Sequence, residues 1–295
     1  MERSVCALHE AVIQTEGGGF QVRRPFPQPG LSFCDPFLLL DEMGPTHWEP
    51  NKAIGAPAHP HRGFETVTYL LQGSIIHEDS FGNKGHLSPG GVQWMTAGDG
   101  VIHSELPEPE FKRRGGTMHG FQIWVNLPAS MKRMTPRYQE IAPDELPIAK
   151  APDGLTTVRV IAGECMGTRS LIDTVIPITM LHIQLKPGGT LKQPLPPEDE
   201  VLVYAFKNNA RICGSNTSLP EGYFALFERG DYININVDSS SPYAAELLLL
   251  SAKPLQEPVA RYGPFVMNSE QEVRQALLDY QSGRFGSIAP RMTEE

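Results

Sequence analysis

Short segments rich in β-branched and aromatic residues recur along the chain, and glycine, proline, asparagine or aspartate separates nearly all of them. The 295 residues include 28 glycines and 27 prolines, which no collagen-like period explains. Many short strands joined by turns are typical of β-sandwiches and jelly-roll barrels, so the sequence predicts an all-β fold. The segments are Thr66–Leu71, Ser74–His77, Val92–Thr96, Phe121–Leu127, Val158–Ile161, Met180–Leu185, Val201–Phe206, Tyr223–Phe227, Tyr232–Val237 and Glu246–Ser251.

The segment APDELPIAKAPDGLT, residues 142–156, contains three prolines and a glycine and shows no hydrophobic period. A linker there divides the chain into two β domains, residues 1–142 and 143–295. One helix is expected near the end of the chain. A capping box, an apolar face and a C-terminal glycine predict it: Ser269 with Glu272, then Val273, Ala276, Leu277 and Tyr280, then Gly283.

Charge and composition exclude several classes of protein. A formal net charge of −9 argues against direct binding of nucleic acid, which depends on clustered Lys and Arg. The longest apolar run near the end, Leu247 to Leu250, is too short to span a bilayer, and the first twenty residues lack a secretory signal. Four scattered cysteines suggest no disulfide framework. We therefore expect a cytoplasmic protein with no membrane association.

The histidines are concentrated before the predicted linker, and only His182 follows it. His59 and His61 form a His-x-His pair whose side chains would share one face of a strand. In the segment TAGDGVIHSE, His103 and Glu105 repeat this spacing after a glycine-rich bend. The same spacing also occurs at His47 and Glu49, so ordinary core or surface histidines remain the alternative to a metal site.

Three imidazoles and one carboxylate, with no thiolate, suit Fe(II), Mn(II), Ni(II) or Co(II) in octahedral geometry with two positions open for water, substrate or dioxygen. Four protein ligands would close a zinc tetrahedron and make such a site structural, although zinc is not excluded. Glu65 shares the parity of the histidine pair and is expected either to hold an imidazole tautomer or to lie at the barrel mouth. Arg62 has the opposite parity and is expected in a surface or interdomain ion pair.

Four motifs in order resemble the pirin family of the cupin superfamily: HPHRGFETVTYLLQGSIIHED, VQWMTAGDGVIHSE, HGFQIWVNLP and EPVARYGPFVMN. The resemblance implies a bicupin, with two jelly-roll β-barrels face to face and a short C-terminal helix. It implies one iron per chain, held in the N-terminal domain by His59, His61, His103 and Glu105. In this family Glu65 is not a ligand. The second domain has no His-x-His pair and only one histidine, so we expect a barrel without metal that is structural or forms a partner-binding surface.

The resemblance also implies quercetin 2,3-dioxygenase activity, which opens a flavonol ring with O₂ and releases carbon monoxide. The substrate would be a small aromatic molecule and the metal Fe²⁺, with Mn, Ni, Co or Zn left open. Glu105 would be the proton acceptor. Met95 and Gln122 would line the pocket, or serve only in ordinary barrel packing.

A second implied function is that of an iron- and redox-dependent transcriptional cofactor that acts through protein partners and not on DNA directly. It would place the chain in the nucleus as well, if the source is eukaryotic. A cupin isomerase is a third possibility. Because two barrels lie in one chain, we expect a monomer.

Overall fold

The computed structural model describes residues 1–16 and 19–288. Strands account for 53% of the chain and helices for 7%, which confirms the all-β prediction. Among the described residues, no helix is both long enough and apolar enough to cross a membrane.

The strands before residue 143 are β1 (Val5–Glu10), β2 (Val12–Glu16), β3 (Phe20–Phe26), β4 (Phe37–Trp48), β5 (Ala56–His61), β6 (Phe64–Gln72), β7 (Ile75–Asp79), β8 (Lys84–Leu87), β9 (Val92–Thr96), β10 (Val101–Pro107), β11 (Gly116–Asn126) and β12 (Arg137–Ile141). Helix α1 (Pro109–Arg114) lies between β10 and β11, and a single 3₁₀ turn covers Ala129–Met131. The sequence analysis did not predict α1, which is only six residues long and has no hydrophobic period.

The remaining strands are β13 (Ile148–Lys150), β14 (Thr156–Ala162), β15 (Glu164–Cys165), β16 (Thr168–Arg169), β17 (Ile178–Leu185), β18 (Thr190–Pro194), β19 (Glu200–Lys207), β20 (Ala210–Ile212), β21 (Thr217–Leu219), β22 (Tyr223–Phe227), β23 (Tyr232–Asn236), β24 (Ala245–Ala252), β25 (Ala260–Tyr262) and β26 (Phe265–Met267). Helix α2 (Glu270–Gln281) follows.

The chain forms two compact units, and neither is contiguous in sequence. Barrel A contains Thr15–Val22, Met43–Pro143 and the described residues from Gln256 onward. Barrel B contains Met1–Gln14, Arg23–Glu42 and Asp144–Leu255. One boundary therefore falls within a residue of the sequence-derived division, but the two ends of the chain are exchanged between the units.

Each barrel is built mainly from one seven-stranded and one four-stranded sheet, and parts of β3 and β4 in the second seven-stranded sheet are assigned to barrel B. In barrel B the strand orders are β1-β22-β19-β24-β17-β14-β13 and β18-β23-β20-β21. Leu181 and Leu247 of the larger sheet share one hydrophobic core with Ile212 and Ile235 of the smaller sheet, and all four side chains are fully buried. Alternate residues of each strand thus fill the interior, as the period of two requires.

The sheets associated with barrel A have the strand orders β12-β9-β6-β11-β4-β3-β2 and β5-β10-β7-β8. The seven-stranded sheet is antiparallel where β6 pairs with β9 and β11. In the four-stranded sheet, β10 lies between β5 and β7 and pairs antiparallel with both. These two sheets face each other, because side chains of β6 and β9 hydrogen-bond to side chains of β10 and β7.

Helix α2 begins where the capping box predicted, since the Ser269 hydroxyl accepts from the Glu272 backbone N–H. Val273 and Ala276 are buried and pack against Phe265 and Phe285. The predicted C-terminal helix is therefore confirmed, with Gly283 in the left-handed region just after it, at a φ of 79°.

A buried ion pair fastens α2 to the end of β5. Arg62 is only 3% exposed, and its Nη1 donates to Oδ2 of Asp279 at 2.7 Å. Its Nε donates to the backbone carbonyl of Asp99 at 2.7 Å, and its guanidinium lies over the Phe285 ring. The strand parity predicted a surface or interdomain ion pair for Arg62, and this prediction is wrong. Its pairing partner lies in the same barrel and comes from the end of the chain.

Replacing Asp279 with Ala should lower the free energy of unfolding by about 3 kcal/mol, because it leaves the Arg62 charge buried without its carboxylate. Denaturant titration of the whole chain measures this change. The matched control is Glu270→Ala, which removes the carboxylate of an exposed pair with Arg274 and should cost less than about 1 kcal/mol. Equal effects of the two substitutions would contradict the structural role of the Arg62–Asp279 pair.

Candidate metal centre

The register of three strands brings the predicted ligands together. On β10, His103 lies directly opposite His59 of β5, and Glu105 lies directly opposite His77 of β7. The β5–β10 register shifts between His103 and Glu105, so Glu105 pairs with Ala56 across that ladder. Because side chains alternate along a strand, the two residues on β10 point into the same side of the sheet.

Three imidazoles form the first group that could hold a metal ion: His59, His61 and His103, with one candidate ligand atom from each within 4.8 Å of the others. The ring centroid of His59 lies 4.7 Å from that of His61 and 4.4 Å from that of His103. The Nε2 atoms of His59 and His103 face each other at 3.0 Å. His61 and His103 are almost completely buried.

The facing nitrogens fit a divalent metal. The Nδ1–H of His59 donates to the backbone carbonyl of Pro57 at 2.7 Å, so in the neutral ring Nε2 carries the lone pair. Two nitrogens bound at ~2.1 Å to one ion, at right angles to each other, lie about 3.0 Å apart. The Nε2–Nε2 separation of His59 and His103 matches that spacing.

Burial keeps two of these imidazoles neutral. Desolvation, followed by the neighbouring His59, lowers the pKa of His61 well below its usual value. Desolvation, followed by His61 and His59, does the same to the pKa of His103. Neutral imidazole is the form that binds metal ions, so the electrostatics of the group favour a metal over protons.

Glu105 belongs to a second group, which shares His103 and includes His77. The sequence analysis did not single out His77. It is fully buried, and its Nδ1 is 2.9 Å from Nε2 of Gln93. The signal was present in the sequence: His77 and Asp79 continue the inward parity of a predicted strand that begins at Ser74.

A chain of partly buried hydrogen bonds holds one oxygen of Glu105. The Thr68 hydroxyl donates to Oε1 of Glu105 at 2.7 Å, and Nε2 of Gln93 lies 3.4 Å from the same oxygen. The Thr68 hydroxyl is also 3.1 Å from Oε1 of Gln122. These contacts fix the carboxylate against β6 and β9. Both contacts to the carboxylate involve Oε1 and neither involves Oε2.

The other predicted residues lie outside both groups. Glu65 is fully buried and accepts a hydrogen bond from the Thr96 hydroxyl at 2.7 Å. Met95 is also buried and packs in an apolar cluster with Ala97 and Val101. The Thr68 hydroxyl lies within hydrogen-bond distance of both Gln122 and Glu105 and so links the two side chains. The structure therefore groups His59 and His61 with His103, and it groups Glu105 with His103 and His77, so the four predicted ligands do not fall in one group. It gives Met95 a packing contact.

Aromatic side chains cover the His61 side of the group. The His61 ring centroid lies 5.0 Å from that of Phe64 and 5.3 Å from that of Trp124. Phe64 and Trp124 also contact each other, at 4.4 Å. Phe64 is fully buried, so this side of the cluster is apolar and excludes water, whereas His59 is only partly covered.

Comparison with known proteins decides the family. Residues 19–125 match the family model Pirin, and residues 180–286 match the model Pirin C-terminal cupin domain. This chain belongs to the pirin family. Both matched regions carry the cupin fold, as the four sequence motifs implied.

Pirin-family relatives extend over nearly the whole chain. A pirin-like protein of Solanum lycopersicum is 41% identical over 94% of this chain and 90% of its own length. Human pirin is 40% identical over 92% of this chain and 90% of its own length. A Pseudomonas aeruginosa protein whose name gives it a provisional quercetin 2,3-dioxygenase activity is 41% identical over 95% of this chain and 97% of its own length.

Solved structures agree with this assignment. A quercetin 2,3-dioxygenase from Acinetobacter baumannii is 34% identical, with a TM-score of 0.90, over 98% of this chain and 100% of that one. A bacterial pirin from Escherichia coli, solved in complex with nickel(II), is 21% identical with a TM-score of 0.65, over 84% of this chain and 99% of that one. At that identity the second likeness concerns the fold alone.

Replacing Thr68 with Val should lower the free energy of unfolding by about 1–3 kcal/mol, because it removes the donor to the partly buried Glu105 carboxylate. Thr66→Val is the matched control on the same face of β6. The Thr66 hydroxyl is buried without a hydrogen bond, so its loss should be neutral or stabilising. Denaturant titration compares the two variants. Destabilisation by Thr66→Val as large as that by Thr68→Val would contradict the described hydrogen bonds.

Proposed function

We propose that this pirin-family chain is a metal-dependent dioxygenase of the quercetin 2,3-dioxygenase type, which opens a flavonol-like ring with O₂. One observation carries the proposal: the imidazoles of His59, His61 and His103 converge, and the carboxylate of Glu105, with one restrained oxygen, shares a second group with His103. The relatives named for this activity support the reaction class. They are 41% and 34% identical to this chain.

The proposed ligands are His59, His61, His103 and Glu105, and the proposed ion is one Fe²⁺ per chain. Three nitrogens and one oxygen without thiolate also suit Mn, Ni or Co, and do not exclude Zn. The Escherichia coli pirin with nickel(II) supports a divalent ion in a protein of this fold. Both groups of candidate ligands lie in barrel A, and we propose that barrel B serves without a metal.

When bound, the metal would lower the pKa of a coordinated flavonol hydroxyl and present it to O₂. Glu105 is the proposed acceptor of that proton, at Oε2, while Thr68 keeps Oε1 in place. Phe64 and Trp124 exclude water from the His61 side of the site. Gln122 is proposed to contact a substrate that approaches Glu105, because its Oε1 is 3.1 Å from the Thr68 hydroxyl that also donates to Glu105.

Other parts of the sequence-based account stay predictions: a monomer located in the cytoplasm, or also in the nucleus of a eukaryotic source, and a role of Glu65 in holding an imidazole. The hypothesis of an iron- and redox-dependent transcriptional cofactor also stays a prediction.

Replacing His61 with Ala should reduce the metal bound per chain at least tenfold, because it removes one of four ligands and leaves a cavity in the cluster. Elemental analysis after loading with Fe²⁺ under anaerobic conditions gives the stoichiometry. His86→Ala is the control, since His86 is exposed and contacts Ser74 outside both ligand groups. Full metal content in the His61 variant would refute the proposed ligand set.

Fe²⁺-loaded protein should consume quercetin and O₂ in equal amounts and release carbon monoxide, whereas metal-free protein should not. Absorbance at the flavonol band and an oxygen electrode follow the two reactants. Glu105→Gln, which cannot accept the proton, should lower kcat by about 10²-fold or more. Absence of turnover above the metal-free protein would remove the dioxygenase proposal for this substrate.

A further inference from the structure

A hairpin near the C-terminus reaches the aromatic side of the histidine group. Strands β25 and β26 form it, and two backbone bonds fasten it to the residue after His61. The Arg62 N–H donates to the Pro264 carbonyl at 3.2 Å, and the Val266 N–H donates to the Arg62 carbonyl at 3.0 Å. The buried Lys132 ammonium adds a third attachment, because it donates to the Val266 carbonyl at 3.0 Å.

Arg261, on β25 of this hairpin, lies over the Trp124 ring with its Cζ 4.6 Å from the ring centroid. Trp124 is half-buried and contacts both His61 and Phe64. It lies on β11 with the same parity as Gln122, the residue that faces Glu105 through Thr68. Arg261 is therefore one aromatic side chain away from the proposed ligands, and it is exposed to solvent.

A guanidinium stacked on an aromatic ring keeps its N–H groups at the rim of its own plane. There they can donate to a carboxylate or a phenolate, and stacking restricts the side chain before an anion arrives. The chain as a whole carries a net charge of −9, so its overall field does not attract anions. An arginine beside the ligand group supplies a local positive charge there.

We infer that Arg261 makes this site selective for aromatic substrates that carry a negative charge, with the anionic group of the substrate on the Arg261 guanidinium. Arg261 is a specificity-determining residue in this account, and it takes no part in proton transfer. The inference rests on the proposed function for the identity of the site, and it narrows the substrate class of that site to anionic aromatics.

Binding to metal-free protein tests the inference without any turnover and without a metal that could take the carboxylate. The probes are 2-naphthoate and the neutral 2-naphthol, with affinities measured by calorimetry and tryptophan fluorescence at low ionic strength. Arg261→Gln should weaken naphthoate binding about three- to fivefold and leave naphthol unchanged, and the difference should shrink as salt is added. Arg261→Lys keeps the charge but loses the planar stack, so its affinity for naphthoate should lie between that of the unsubstituted protein and that of Arg261→Gln.

The control is Arg274→Gln, which removes an exposed arginine of α2 that pairs with Glu270. It should affect neither probe, and thermal unfolding should show that both glutamine variants are folded. Unchanged naphthoate affinity in Arg261→Gln, or equal losses for both probes, would overturn the inference.

Kinetics separate this inference from the proposed function. With metal-loaded protein, Arg261→Gln should lower kcat/KM for a flavonol with a sulfonate on its B ring and spare the same flavonol without it. If no flavonol is oxygenated but Arg261→Gln still weakens only naphthoate, the dioxygenase proposal fails and the Arg261 inference stands. If both flavonols turn over and their kcat/KM values fall equally in the variant, the inference fails and the dioxygenase proposal stands.

Discussion

The register of β10 between its two neighbours is the constraint on which the site depends. His103 stands opposite His59 on one side, and Glu105 stands opposite His77 on the other. A slip of β10 by one residue would turn His103 and Glu105 to the opposite face of the sheet, away from His59 and His77. The backbone hydrogen bonds of three strands therefore fix the site before any ligand arrives.

Burial gives this arrangement its chemistry. His61 and His103 lie where charge is poorly solvated, so both stay neutral and offer lone pairs to a cation. The carboxylate of Glu105 is held in a different way, by the hydroxyl of Thr68 and the amide of Gln93. Barrel A thus holds the neutral imidazoles of His61 and His103 close to the oriented carboxylate of Glu105.

The sequence predicted much of this because strand periodicity and ligand type are local properties. The spacing of His59 with His61, and of His103 with Glu105, indicated which side chains share a face. It could not show that Glu105 groups with His77, because that depends on the β7–β10 register, a contact between residues distant in sequence. The capping box of α2 is equally local, and its position was predicted correctly.

The contacts made by the C-terminal segment lay beyond sequence reasoning. Strand parity alone predicted a surface or interdomain ion pair for Arg62. In the structure Arg62 is buried and pairs with Asp279, which lies more than two hundred residues later in the chain. The same long-range return brings Arg261 to Trp124, and no local pattern indicates that meeting. Return of the segment from Gln256 onward to barrel A is the physical reason, since it brings residues from the end of the sequence into the same unit as Met43–Pro143.

Anomalous diffraction at the iron edge, from crystals of the Fe²⁺-loaded protein, tests the central claim most directly. The account predicts one peak per chain in barrel A, bonded to His59, His61 and His103 and within coordinating distance of Glu105. A peak at any other position, two peaks of similar height, or histidine rings turned away from the ion would contradict it.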